Sequence, residues 1–352
     1  MEMSIALPPK ATSWKDAARA EELGYSSVWF YDTAVLNAEI FVAMGAAAMK
    51  TSKIKLCTGV TVPDNRLAPI VASALATLNA LAPGRVVFGV STGFTARRAL
   101  GLKAVSISRM VHFINVVQGM LAGDTVEWRE TGEAHKVRFL NPELGLINIE
   151  DPIPLAISAL GPKGRATVAE TGAQWITTGA IDLEYARVEM QDMRRLWAER
   201  GRDPKQLYAI AAFAGGRVLD EGEPFDSPSA MAQAGPGVAV RFHAMVEDES
   251  RNTDGFPFPD ELEAYRKVYE GYTPADARYL SNHRGHLMFV RPDETHVTGP
   301  VIKAMSLIGT KAELVERLKA IKALGFSQVQ FNLVPGHEHE MMERFADVMA
   351  QV

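Results

Sequence analysis

Short apolar stretches alternate with helical patterns along most of the chain. Eight stretches rich in β-branched and aromatic residues have the length of buried strands. They are Ile5–Leu7, Ser26–Tyr31, Ile54–Val60, Arg85–Val90, Pro154–Ser158, Gln174–Thr178, Leu207–Phe213 and Ser327–Leu333. Helical material follows each strand, as over Ala68–Leu81 and Leu183–Arg200. Eight such units predict an α/β fold, a (β/α)8 or TIM barrel that forms a single domain over residues 1–352.

A doubly wound open sheet is the alternative for alternating strands and helices. It usually carries a G-x-G-x-x-G turn after its first strand, and no such turn follows Ile5–Leu7. One segment, Asp220–Ser306, departs from the repeat and contains scattered proline, glycine and aromatic clusters. An insertion this long is more often a lid or binding element than a linker. We expect it between strand seven and the last helix, folded over the open end of the barrel.

Composition narrows the class of protein. The chain is 47% apolar and 22% charged, close to the average for soluble proteins, and its net charge of −5 gives no sign of a polyanion-binding surface. No nucleic-acid partner is therefore expected. Cys57 is the only cysteine, which excludes a disulfide framework and a multi-cysteine metal site. Neither a secretion signal nor an apolar run of about 18 residues is found, so we expect a cytoplasmic protein with no membrane contact.

The candidate site follows from the fold, because these barrels place the active site at the carboxyl ends of the strands. Those ends include Asp32, Gly59–Thr61, Ser91–Gly93, Ser158–Gly161 and Thr177–Gly179. They hold no paired carboxylates, no Ser-His-Asp set and no cluster of metal ligands, so no metal is expected. Their amides and hydroxyls suit a flat, partly anionic cofactor of the flavin type.

Three further features carry charged or titratable groups. The segment 161–165 (GPKGR) joins a strand to a helix, and its amides could face a phosphate; a plain βα loop with solvated basic residues is the alternative. His283 and His286 lie three residues apart in the insertion. They could be proton donors or substrate contacts; the alternative is that they are surface or capping histidines. Asp32 could orient a substrate or cap the next loop.

Several blocks of the chain, in order, resemble the signatures of the bacterial luciferase-like superfamily. They are AEELGYSSVWFYD, IKLCTGVTVPDNRLAPIVASALATLNALAPGRVVFGVSTG, LGLKAVSISRM, PIPLAISALGPKGRATVAETGAQWITTG and IGTKAELVERLKAIKALGFSQVQFNLVPGHE. The branch most similar in character contains methylenetetrahydromethanopterin reductase and other flavin- or deazaflavin-dependent oxidoreductases. The resemblance covers nearly the whole chain and is weak only over about Asp220–Asp276.

This resemblance implies a barrel that binds reduced FMN or, alternatively, coenzyme F420 at the carboxyl ends of its strands. It also implies a cis peptide bond between Gly59 and Val60. The residues it assigns to the cofactor ring are Gly59, Val60 and Thr61 behind it, with Ser91 and Thr92 near its rim. The residues it assigns to the ribityl and phosphate end are Ser158, Ala159, Leu160, Gly161, Thr177, Thr178 and Gly179.

Two departures from the family pattern affect the chemistry. Many relatives have Asp-His where this chain has Asp32 and Thr33, and some deazaflavin sugar dehydrogenases have an acidic residue where this chain has Phe94. A sugar-phosphate substrate is therefore not expected, and His283 or His286 is the expected proton source.

The predicted function is a flavin-dependent oxidoreductase acting on a small organic substrate. It is either a monooxygenase that uses reduced FMN and O2 or a reductase that transfers hydride with a deazaflavin. A non-catalytic flavin-binding subunit is the alternative. We expect a homodimer, with a separate flavin reductase as a candidate partner.

Overall fold

A computed structural model describes residues 1–129, 132–247 and 256–352 of the chain. The strands in the described residues are β1 (Glu2–Leu7), β2 (Ser27–Phe30), β3 (Lys55–Thr58), β4 (Val86–Val90), β5 (Val126–Arg129), β6 (Ala134–Val137), β7 (Leu155–Ser158), β8 (Gln174–Thr177), β9 (Ala209–Phe213), β10 (Gly216–Leu219), β11 (Leu307–Thr310) and β12 (Gln328–Asn332). Strands β1, β2, β3, β4, β7, β8, β9 and β12 are parallel neighbours in that order and close into a barrel. Each coincides with a predicted strand, so the (β/α)8 fold is confirmed.

Helices surround this barrel. The α-helices of the described residues are α1 (Ser13–Glu22), α2 (Ile40–Ala48), α3 (Ala68–Leu81), α4 (Phe94–Arg98), α5 (Ile107–Leu121), α6 (Pro162–Thr171), α7 (Leu183–Glu199), α8 (Pro228–Glu247), α9 (Pro259–Glu270), α10 (Tyr279–Asn282), α11 (Gly299–Met305), α12 (Lys311–Leu324) and α13 (Glu338–Met349). None of them combines the length and the apolar character needed to cross a bilayer.

The barrel strands are buried on both faces, which explains why they read as nearly continuous apolar runs. Successive side chains of a strand point to opposite faces. On β2, Trp29 packs inside the barrel with Cys57 and Ile210, whereas Val28 and Phe30 belong to the outer layer that contacts the helices. The alternation determines which side chains fill the barrel and which pack against the helices. Because the interior is filled, a site can form only at the ends of the strands.

The segment 220–306 lies between the seventh barrel strand and α12, as predicted. Strands β10 and β11 pair in parallel at its base, with Gly216 opposite Leu307. Helices α8, α9 and α11 enclose a hydrophobic cluster that includes Phe242, Tyr265 and Ile302. The apolar residues of the insertion, scattered in the sequence, therefore form a packed layer of their own.

Candidate functional site

The carboxyl ends of β2, β3 and β4 open into a pocket of about 670 Å³, called the ring pocket below. From the barrel, it is lined by Tyr31, Asp32, Gly59, Val60 and Ser91. The insertion contributes His286 and Leu287. Asn332, the last residue of β12, donates from Nδ2 to the carbonyl of Leu287 at 3.2 Å. The insertion therefore reaches the carboxyl end of the barrel, where the active site of this fold is expected.

The segment after β3 forms one wall of the ring pocket. The peptide bond between Gly59 and Val60 is cis, as the resemblance implied. A Cβ on Gly59 would lie 2.9 Å from the Cβ of Trp29, so a larger residue does not fit without displacement. Thr61 is buried, and its Oγ1 has no hydrogen-bond partner in the described residues. The wall therefore consists of closely packed backbone at Gly59 and Val60, and the unpartnered hydroxyl of Thr61 lies outside the pocket lining.

Asp32 lines the ring pocket, but its carboxylate is bonded to the loop after β3. Its Oδ1 accepts from Nη1 of Arg66 at 2.6 Å, and its Oδ2 accepts from the amide of Val62 at 3.4 Å. Burial raises the pKa of Asp32, and the Arg66 guanidinium partly offsets that rise. These bonds fasten the loop that carries the ring-pocket wall.

A second pocket, of about 610 Å³, lies at the carboxyl ends of β7 and β8 and is called the tail pocket below. Four of the residues predicted to hold the phosphate end of a cofactor line it, namely Leu160, Thr177, Thr178 and Gly179. Because β4 pairs with β7 and β7 with β8, the ring and tail pockets lie on neighbouring strands at the same end of the barrel.

Arg241 of α8 also lines the tail pocket, and sequence reasoning did not single it out. Its Nε is buried without a hydrogen-bond partner, and no ion pair holds its guanidinium within the described parts of the chain. Burial lowers the pKa of Arg241. Asp182 and Glu189 line the same pocket, but neither forms an ion pair with Arg241, and Glu189 is paired with Arg165. A desolvated guanidinium outside an ion pair is stabilised by a bound anion, especially by a phosphate. Arg241 reaches the site only through the fold, because α8 packs against the residues that follow β9, where a Cβ on Gly237 would lie 2.3 Å from the carbonyl oxygen of Ala214.

The GPKGR segment begins α6. Gly161 precedes the helix in an extended conformation, and a Cβ there would meet no atom within 4 Å. Arg165 is already paired, because it donates at 2.9 Å each to Asp192 and to Glu189, which itself lines the tail pocket. The predicted cofactor residues that line neither pocket are Thr61, Thr92, Ser158, Ala159 and Gly161.

Both predicted histidines are buried, which removes the alternative of surface histidines. His286 lines the ring pocket, and its Nε2 lies 3.2 Å from Oγ1 of Thr95, which lines the same pocket. Burial, together with the neighbouring His283, lowers the pKa of His286 well below its ordinary value, so the ring is neutral at physiological pH. His283 lies outside the ring-pocket lining, with Nε2 at 3.0 Å from Oε2 of Glu247.

Comparison with known proteins links this arrangement to redox enzymes. The family described as luciferase-like monooxygenase matches residues 15–328. A 5,10-methylenetetrahydromethanopterin reductase of Methanolobus tindarius is 28% identical over 200 residues, which are 56% of this chain and 59% of that protein. The enzyme of the same name from Archaeoglobus fulgidus is 25% identical over 317 residues, or 88% of this chain and 86% of that protein.

Two further comparisons concern F420 enzymes. An F420-dependent glucose-6-phosphate dehydrogenase of Beutenbergia cavernae is 30% identical over 180 residues, which are 47% of this chain and 52% of that protein. The structure of the coenzyme F420-dependent tetrahydromethanopterin reductase of Methanopyrus kandleri covers 98% of this chain and 97% of its own, with a TM-score of 0.66 and 19% identity. This structural likeness shows a shared fold.

Proposed function

This chain belongs to the luciferase-like monooxygenase family, and we propose that it uses coenzyme F420 to oxidise or reduce a small, uncharged organic substrate. The relatives are named as reductases and dehydrogenases, so the chain is an enzyme, and the prediction of an enzyme is confirmed. When bound, F420 would supply or accept a hydride; the protein's part is to bind and orient both reactants and to exclude water.

The choice of F420 over FMN is supported by the sequence relatives. The dehydrogenase that is 30% identical in its aligned part is named as F420-dependent. Reduced FMN with O2, the first expectation from the sequence, has no corresponding support in the names of the sequence relatives described above. A deazaflavin enzyme also needs no separate flavin reductase to deliver its cofactor.

Arg241 is the observation that carries the proposal of a phosphate-bearing cofactor at this end of the barrel. Flavin and deazaflavin cofactors share an anionic phosphate beyond the ring. The tail pocket offers a buried guanidinium nitrogen without a partner beside Thr178 and Gly179. The residues present therefore fit such a group, with Arg241 and the segment 177–179 at the phosphate and the segment 59–61 behind the ring.

The lining of the ring pocket supports an uncharged substrate. The lining residues that the structure describes include no lysine and no arginine, so no cation faces a substrate phosphate there. Val62, Phe94 and Leu287 give it an apolar surface, while Thr95 and His286 add two polar groups. Pockets of this kind orient small apolar molecules through a few polar contacts. An alcohol or a carbonyl compound fits this lining better than a sugar phosphate.

Titration of F420 into the purified protein tests the role of Arg241. Arg241→Gln removes the cation and should weaken F420 binding by more than about tenfold, because the phosphate loses a charge-assisted hydrogen bond. Arg187→Gln on α7 is the matched control, since Arg187 pairs with Glu184 at the surface and should leave the dissociation constant unchanged. Equal affinity in wild type and Arg241→Gln, with both folded by circular dichroism, would place the phosphate elsewhere.

A further inference from the structure

Three buried histidines meet inside the insertion. His243 lies in α8, and His283 and His286 follow α10. Their exposed fractions are 2%, 1% and 8%. One ring nitrogen of each lies within 4.8 Å of the corresponding nitrogens of the other two. The sequence spacing of His283 and His286 pointed to a pair; His243, some 40 residues earlier, joins them only through the fold.

Two of these rings are held from behind by carboxylates. His243 donates from Nε2 to Oε1 of Glu294 at 2.5 Å, and His283 donates from Nε2 to Oε2 of Glu247 at 3.0 Å. A carboxylate accepts a hydrogen bond, so it places the proton of a neutral imidazole on Nε2 and the lone pair on Nδ1. Both Nδ1 atoms therefore present a lone pair.

The remaining ring, that of His286, faces a hydroxyl, which can accept from Nε2 but does not by itself set the tautomer. Nε2 of His286 lies 3.2 Å from Oγ1 of Thr95. The Nδ1 atoms of His243, His283 and His286 are all buried, and none has a hydrogen-bond partner in the described residues. A buried polar atom left without a partner costs about 1–3 kcal/mol. The three rings that carry these atoms are neighbours, with centroids 5.5, 6.0 and 6.3 Å apart, so one shared ligand that accepts electron pairs would satisfy them.

The carboxylates are themselves fixed. Glu247 accepts from Nδ2 of Asn282 at 2.7 Å, and Glu294 accepts from the amide of Arg291 at 2.6 Å. Histidine ligands of metal ions usually donate their other ring N–H to a carboxylate or a similar group, which sets the tautomer and the ring orientation. Two of these three histidines have that arrangement.

We propose that His243, His283 and His286 bind one divalent transition-metal ion, with Zn2+ as the ion that best suits three imidazoles. Nitrogens bound to one zinc ion at about 2.0–2.1 Å lie roughly 3.3 Å apart, so small rotations of the three rings bring nitrogens within 4.8 Å into range. Mg2+ and Ca2+ are excluded as the natural occupants because both prefer oxygen ligands.

Three protein ligands leave one position for water or substrate, as in catalytic zinc sites. His286 belongs to both the cluster and the lining of the ring pocket. The metal would therefore lie next to the space proposed for the substrate. The site itself does not depend on F420, because its ligands and their supporting carboxylates all come from this chain.

Zinc binding to the full-length protein, freed of metal by a chelator and carrying no histidine tag, tests the proposal. We expect one saturable Zn2+ per chain, measured by metal analysis after dialysis and by competition with a chromophoric chelator. His243→Gln, His283→Gln and His286→Gln should each weaken binding by at least about tenfold, and Glu247→Gln by about 10–100-fold. Excess Mg2+ should not compete.

His296→Gln is the matched control. His296 is buried in the same insertion and packs on Tyr265 with ring centroids 4.2 Å apart, but it is outside the cluster. Its variant should bind Zn2+ as wild type does. The proposal is wrong if wild type binds no stoichiometric Zn2+. It is also wrong if the three cluster variants bind as tightly as wild type, which would assign the ion to other histidines, such as half-buried His337 and exposed His339.

A second measurement needs no variant. Co2+ added to the metal-free wild-type protein should give the intense visible absorption of a four-coordinate site with nitrogen ligands, and Zn2+ should abolish it. If the protein gives no more than the weak spectrum of hydrated Co2+, the proposal is wrong. This result needs no histidine variant, so it holds even if those variants fail to fold.

Discussion

Gly161 provides a direct test of where the cofactor phosphate lies. A Cβ at this position meets no atom within 4 Å, and the backbone is extended, so side chains are tolerated. Gly161→Asp should weaken F420 binding by more than about tenfold, because a carboxylate at the start of α6 repels an anion bound beside Leu160. The dissociation constant is read from a fluorescence titration.

Gly161→Ala separates charge from bulk at that position. Alanine adds the Cβ alone, so its F420 affinity should stay within about threefold of wild type. Similar losses in the alanine and aspartate variants would point to a steric effect, and no loss in either would move the anion away from α6.

His286 is the titratable side chain through which the insertion contacts the ring pocket. General acid–base help is typically worth about 10²–10⁴-fold in rate. We expect His286→Ala to lower turnover by at least about tenfold and to leave F420 affinity within about threefold, because His286 contacts Thr95 rather than the tail pocket. Turnover near that of wild type would show that His286 gives the reaction no help in proton transfer.

Asp32 and Arg241 show what single residues disclose from sequence. The strand-end position of Asp32 predicted that it would lie at the site, and it lines the ring pocket. Its bond to Arg66 could not be predicted, because that partner lies 34 residues away in a loop. Arg241 carried no motif at all; its role depends on a helix of the insertion packing over a barrel strand.

The start of the insertion is fastened by an ion pair between Arg217 of β10 and Glu223 in the loop that precedes α8. Glu223 accepts from Nε of Arg217 at 2.9 Å, from Oγ of Ser227 at 2.6 Å and from the amide of Asp220 at 2.9 Å. Burial opposes the charged carboxylate, but these bonds outweigh it and lower the pKa of Glu223 to about 2. Because this pKa lies below the ordinary 4.5, the charge stabilises the fold at neutral pH.

Glu223→Gln should therefore lower the free energy of unfolding by about 2 kcal/mol at neutral pH. The difference from wild type should shrink as the pH falls from 4.5 through about 2, because Glu223 becomes protonated over this range and then, like glutamine, carries no charge. Urea denaturation at neutral pH and near pH 3 (about the middle of that range) measures it. Glu221→Gln is the control, because Glu221 is exposed and its replacement should change the free energy of unfolding little at either pH. A difference between Glu223→Gln and wild type that does not depend on pH would rule out the ionic contribution.

The elements themselves were largely predictable. The strands of the barrel are apolar runs of the right length. Helix α12 has its predicted bounds; Thr310 caps its start in a capping box with Glu313, and Gly325 caps its end. The insertion was less predictable, because its helices bury their apolar faces mainly against one another. Its buried polar cluster at His243 and Glu294, 51 residues apart, left no local pattern to detect.

The homodimer remains a prediction for the whole molecule. Large apolar side chains are exposed on neighbouring elements: Val42 at 72% on α2, and Ile70 at 58% on α3, which packs against α2. Exposed apolar patches of this kind are typical of interfaces. Light scattering after gel filtration should give twice the mass of the chain, and Ile70→Lys combined with Val42→Lys should give the monomer. A monomeric wild type, or a charged variant that still dimerises, would contradict this assignment of the interface.

Competing titrations of F420 and FMN into the wild-type protein test the central claim most directly. Native mass spectrometry and isothermal titration calorimetry report the stoichiometry and the dissociation constant for each cofactor. We expect one F420 per chain, bound at least about tenfold, or 1.4 kcal/mol, more tightly than FMN. Tighter binding of FMN, or no binding of F420, would contradict the assignment of this barrel as a deazaflavin enzyme.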